Sequence, residues 1–173
     1  MQMKKILKNI DKNGERYLLL PLYTMIVFVI SVEVVRRTLL SYSSIWGEEV
    51  ARYAFIYIAW IGASAAIKER AHIRIDVLLP LFSNRARAFI FLLGDIVTLI
   101  LAILAIYWSM EPVLNSIHFG SVTHGLRISH AWFLAAVPFG FSMMIVRLVQ
   151  SMYRDIQDMR HGRPVFEGNK LFD

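Results

Sequence analysis

Four apolar runs constrain this chain more than any other feature. Residues 17–40, 50–67, 87–110 and 131–150 each come close to the roughly 20 mostly apolar residues that a helix needs to cross a hydrocarbon core of about 30 Å. A backbone in lipid must satisfy its own N–H and C=O groups, which leaves helices and closed barrels as the spanning structures. A barrel would need strands of about ten residues with alternating polarity, and the sequence has no such pattern. The expected fold is therefore all-α, with four transmembrane helices forming one membrane domain over residues 1–173.

Charge gives the orientation. Lys4, Lys5, Lys8, Lys12 and Arg16 precede the first run, Lys68, Arg70, Arg74, Arg85 and Arg87 fall in residues 68–87, from the end of the second run to the start of the third, and Arg154, Arg160, Arg163 and Lys170 follow the fourth. Residues 41–49 contain no Lys or Arg, and residues 111–130 contain only Arg127. By the positive-inside rule both termini and the middle loop are expected on the cytoplasmic side, with Arg36 and Arg37 a local exception. The net charge of +6 is thus distributed beside the spans rather than along one soluble face, which speaks against a nucleic-acid partner and for the membrane surface. The first run exceeds the 7–15 apolar residues of a signal peptide and lacks a small-x-small cleavage site, so it is expected to remain as an anchor.

Between the spans, Met3, Ile6, Leu7 and Ile10 recur at helical spacing among lysines, as in a short helix lying on the inner leaflet. Residues 1–16 are read as that segment. Residues 68–86 are read as a cytoplasmic amphipathic loop broken at Pro80, and residues 151–173 as a cytoplasmic tail. Pro21 falls in the first turns of the first run, where its missing N–H costs little. Pro138 and Gly140 point to a kink in the fourth.

Ionisable residues inside spans are costly and are candidates for function. Glu33, with Arg36 and Arg37 three and four residues later, reads either as a self-paired cluster at the outer interface or as a proton- or substrate-linked carboxylate. Asp95, in the third run, needs a partner such as Arg147 on the fourth span or a group on another subunit. Glu48 and Glu49 stand at a helix N-terminus, where the dipole favours anions, and Arg52 lies four and three residues on, within reach of both.

Catalysis and cofactors find little support. There is no cysteine, which excludes disulfides, thiolate chemistry and iron–sulfur clusters. His118, His124 and His130 recur every six residues, a spacing that no single helical face presents together, so they are not read as metal ligands. His72 and Asp76 are four apart but are only two ligands. No histidine pair suits haem, no nucleophile–base set is visible, and no glycine-rich phosphate loop is present. The chain is read as a non-enzyme with no catalytic, cofactor-binding or metal residues.

The stretch "EEVARYAFIYIAWIGASAAIKERAHIRIDVL" resembles the best-marked region of the DctQ-type small membrane subunit of tripartite ATP-independent periplasmic (TRAP) transporters. Glu49, Arg52, Tyr53, Trp60, Gly62, Ala63, His72, Ile73 and Asp76 occupy the places of that family's pattern. "VTHGLRISHAWFLAAVPFGF" is a weaker match, through Thr123, Leu126, Trp132, Pro138 and Gly140; Ser129 stands where family members often have proline. The resemblance implies a bacterial inner-membrane scaffold in a sodium-driven importer of organic acids such as sialic acid or C4-dicarboxylates. It implies two protein partners, a large membrane subunit that carries the sodium and substrate sites and a periplasmic substrate-binding protein that the small subunit helps to dock. Glu33, Arg36, Arg37, Glu48, Glu49, Arg52, Tyr53, His72, Asp76 and Asp95 are then candidate subunit or docking contacts. The competing reading is a self-sufficient proton-coupled four-helix exporter that uses Glu33. The strong Lys/Arg bias and the arginines beside Glu33 count against it.

Overall fold

The computed structural model describes residues 2–42, 44–70 and 83–161, with side chains placed from residue 13 onward and, in the third helix, from residue 86. These residues form four helices: α1 (Gln2–Leu40), α2 (Ile45–Lys68), α3 (Asn84–His118) and α4 (Ala131–His161). Each contains a stretch long and apolar enough to cross a membrane, beginning at Asn13 in α1. The all-α, four-span expectation holds. Residues 71–82, with His72, Asp76 and the expected break at Pro80, lie outside the described residues, as does the end of the chain from residue 162.

The helices outrun the apolar runs. The helix α1 is continuous from Gln2 through the segment expected to stand apart, so Pro21 sits in a helix interior rather than in a first turn. The start of α2 is Ile45, α3 continues to His118, and α4 runs through Arg154 to His161 where a tail is expected. Hydropathy marks where side chains suit lipid, whereas caps decide where a helix ends. Ser44 and Ser83 immediately precede α2 and α3, and the Ser83 hydroxyl accepts from Ala86 N–H at 3.4 Å. At the end of α3, Gly120 takes φ +59° while its N–H donates to Ile117 O and Ser121 N–H donates to Ser116 O. That pairing is a Schellman cap, and the left-handed position explains the glycine.

The chain divides into two compact units, Met1–Gly62 with Ser109–Val137, and Ala63–Trp108 with Pro138–Asp173. In the first, the buried apolar residues are Ala54, Ile61, Val113, Ala131 and Ala136. In the second, Ile67, Ala88, Phe91, Ala102, Met144 and Leu148 are buried, with Ser64 among them. Small residues at the seams let backbones approach, which is what drives helix association where lipid is as apolar as the side chains. Large apolar residues such as Phe28, Phe55, Phe89 and Trp108 point outward instead. The most apolar window of α1 has no buried residue at all.

Because Ala102 is fully buried, Ala102→Leu should destabilise the chain by about 1–3 kcal/mol through overpacking. Ile103→Leu on the exposed side should be close to neutral; unfolding in detergent micelles followed by circular dichroism measures both.

Candidate functional site

Two clusters of ionisable groups organise the described residues, one in each unit. In the first unit, Glu33 of α1 reaches the start of α2. Its carboxylate accepts from Ser44 N–H at 2.5 Å and from the Ser44 hydroxyl at 2.6 Å. A Cβ on Gly47 would lie 2.9 Å from Glu33 Oε2, so the missing side chain makes room for the carboxylate. An anion at a helix N-terminus is favoured by the dipole and by the N–H groups that lack partners there. Glu33, eleven residues before Ser44 in the chain, thus serves as part of the α2 cap. Arg36 lies over the Tyr42 ring, 4.9 Å from its centroid, and Arg37 is exposed.

Glu49, in the second turn of α2, turns away from its own helix end. Its Oε1 accepts from Gly125 N–H and its Oε2 from Leu126 N–H, both at 2.8 Å. The two donors lie at the tip of a short hairpin between α3 and α4, defined by a Val122–Ser129 bridge and by Thr123 N–H to Ile128 O and His130 N–H to Ser121 O, each 2.9 Å. The tip sits directly on α2, since a Cβ at Gly125 would meet Trp46 N at 2.9 Å and Ile45 C at 3.0 Å. Deeper along α2, the Tyr53 ring packs edge-on against Phe133, and the Tyr57 hydroxyl donates to Trp132 O at 2.8 Å. Ser129, in the place of the expected proline, accepts from Ala131 N–H through its hydroxyl at 3.3 Å and helps to start α4.

Tyr53 is eight residues past Ile45, so α2 advances about 12 Å before it meets the first turn of α4 at Phe133. The first turns of α2 therefore lie beside the hairpin rather than beside α4. Glu48 and Arg52 are exposed in this stretch. His118 is edge-on to Phe119 and His130 stacks on Phe133, so two of the three loop histidines pack on neighbouring rings. No group of three ligating side chains that could hold a metal ion occurs among the described residues.

In the second unit, α2 ends at Lys68, and Arg70 in the turn that follows takes φ +51°. A non-glycine residue in this region costs about 1–2 kcal/mol, and the buried side chain supplies the compensation. Its guanidinium pairs with Asp155, both side chains being fully buried, donates to the Ser151 hydroxyl at 3.3 Å and lies over the Phe91 ring at 4.8 Å. Asp95 is buried as well, within electrostatic reach of Asp155 and Arg154. Arg147, the partner expected for Asp95, is buried and donates to Gln150 Oε1 at 2.6 Å.

The structure thus turns Glu33, Glu49, Tyr53 and Asp95 inward and leaves Arg37, Glu48 and Arg52 on the surface. Sequence reasoning missed Ser44, Gly125, Leu126, Arg70, Ser151 and Asp155. One signal pointed to the last two: Met144, Leu148, Ser151 and Asp155 follow 4–3–4 spacing, the mark of one buried helical stripe, once α4 is allowed to continue past residue 150.

With this geometry in place, the comparisons with known proteins are specific. The family model for tripartite ATP-independent periplasmic transporters, DctQ component, matches residues 26–158, and the chain belongs to that family. It is 28% identical over 149 residues to the sialic acid TRAP transporter small permease protein SiaQ of Vibrio cholerae, covering 86% of this chain and 85% of that protein. It is 29% identical over 117 residues to the C4-dicarboxylate TRAP transporter small permease protein DctQ of Rhodobacter capsulatus, covering 65% of this chain and 50% of that one. The isethionate TRAP transporter permease protein DctMQ of Oleidesulfovibrio alaskensis matches 85% of this chain at 26% identity, but the chain spans only 24% of its length. The protein is a small permease subunit of the DctQ type and a multi-pass inner-membrane protein.

A buried pair that loses one member leaves an uncompensated charge, which costs about 3–5 kcal/mol. Arg70→Met should therefore destabilise the chain strongly, and adding Asp155→Leu should recover most of the loss. A double-mutant cycle of unfolding midpoints in detergent measures the coupling.

Proposed function

We propose that the chain is the non-enzymatic small membrane subunit of a sodium-driven importer of organic acids. It scaffolds a larger transport subunit and helps to dock a periplasmic substrate-binding protein. The observation that carries this reading is the use made of the carboxylates: Glu33 and Glu49 hold N–H groups at helix and hairpin ends, and Asp155 holds Arg70. Groups committed to holding the fold are not available to bind and release a substrate or ion, which transporters do at convergent sites near mid-membrane. Substrate and sodium then belong to the larger subunit, and this chain needs no cofactor.

The relatives support the partner. In DctMQ the part that matches this chain is about a quarter of a longer permease, so there the small subunit's neighbour is covalently attached. The substrates in the relatives' names, sialic acid, C4-dicarboxylates and isethionate, are all organic anions, and an organic acid is the class expected here. By the Lys/Arg bias, both termini face the cytoplasm and the hairpin at 121–130 faces the periplasm. Arg36, Arg37, Glu48 and Arg52, charges near that side not buried in the fold, are outward candidates for contact, and His72 and Asp76 keep that role by family resemblance.

Purification in mild detergent should recover this chain with a much larger polytopic protein. Proteoliposomes should take up the organic acid only when both membrane chains, a loaded binding protein and a sodium gradient are present. Transport by this chain alone would overturn the reading. Glu33→Gln, which removes one of two good acceptors for Ser44, should leave most uptake in place, whereas a proton-coupled exporter would be abolished by it.

A further inference from the structure

We infer that Glu49 is a positioning residue for substrate delivery: its carboxylate fixes the 121–130 hairpin in the orientation in which the hairpin meets the loaded periplasmic binding protein. This rests on the reading of the chain as a TRAP small subunit with the hairpin on the periplasmic side.

Taken alone, the hairpin has little to hold it. Its strands share one bridge and two cross-strand hydrogen bonds, and an isolated two-stranded hairpin is marginal in water. The Gly125 and Leu126 N–H groups at the tip find their acceptors on Glu49, outside the hairpin. A carboxylate offers one oxygen to each of two adjacent donors; a carboxamide has a single carbonyl oxygen and presents its own N–H to the second. Gly125 seats the tip against the Ile45 and Trp46 backbone, so the hairpin is held through two independent contacts, one with a side chain and one with backbone.

The helix itself does not require this use of Glu49. Ser44 and Glu33 already occupy the α2 N-terminus, so the Glu49 contact chiefly benefits the hairpin. What it holds in place is an exposed surface: Val122, His124, Arg127 and Ile128 all face outward, with Arg127 in a left-handed conformation at φ +51°. Fixing such a surface before encounter removes the ordering cost from the binding step.

The test uses the intact transporter in proteoliposomes, with this chain, the large subunit and the binding protein, carrying Glu49→Gln or Gly125→Ala. Both should speed hydrogen exchange at the 125–126 amides. Both should also raise the binding-protein concentration that gives half-maximal uptake by about tenfold, the scale of losing one hydrogen bond to a charged group. Maximal uptake rate and the yield of the membrane complex should be unchanged. Gly125→Ala acts from the hairpin side and carries the test if Glu49→Gln lowers that yield. Faster exchange with an unchanged half-maximal concentration would overturn the inference, as would unchanged exchange or a fall in maximal rate alone. If uptake by the unsubstituted transporter does not depend on the binding protein, the parent reading fails instead.

Discussion

A carboxylate held against backbone N–H groups is the interaction on which the first unit depends. Helix starts and hairpin tips leave donors without partners, and near lipid there is little water to take their place. This chain meets that need with acidic side chains from elsewhere in the sequence. Glu33 brings α1 to the start of α2, and Glu49 brings α2 to the hairpin that precedes α4. The same contacts that satisfy the donors also set the connections, so charge here acts as a structural fastener.

The second unit solves a related problem with a full ion pair. A left-handed arginine in the turn after α2 is unfavourable locally, and its side chain offsets the cost by reaching Asp155, Ser151 and the face of Phe91. Asp95 and Arg154 belong to the same electrostatic neighbourhood, so positive and negative groups are balanced within a small volume. Such buried sets are poor sources of net stability but strongly disfavour arrangements that would separate them. Their value lies in selecting one packing of α2, α3 and α4 within this unit.

The span count and the helical class were legible because hydropathy over about 20 residues is a long-range average that local detail does not upset. Helix ends were not, because they turn on single residues: Glu33 holding Ser44 ahead of α2, Ser83 as a cap, Gly120 in a Schellman turn, and the polar continuation of α4 to His161. Glu33, Glu49 and Asp95 were recognised as unusual from their place in apolar surroundings, but Ser44 and the hairpin N–H groups were not foreseen as acceptor-seeking partners of the two glutamates. Glu49 is 76 residues from Gly125 in the chain, and Arg70 is 85 from Asp155. Neighbours at i+3 and i+4, which a sequence displays, drew the reading toward Arg36, Arg37 and Arg52 instead. Backbone N–H groups as acceptor-seeking partners leave no mark on a sequence, since every residue but proline has one.

The bare apolar stretch of α1 has a practical meaning. A helix that contributes no buried residue in its most apolar window adds little through those side chains to the cohesion of its own chain. Substitutions there would escape a screen based on the melting of the purified subunit, yet they alter the surface that lipid or a neighbouring subunit covers. The subunit thus carries two kinds of sensitivity on separate residues. Sites such as Ala102 and Arg70 report on whether the chain folds, and the outward residues of α1 report on its company in the membrane.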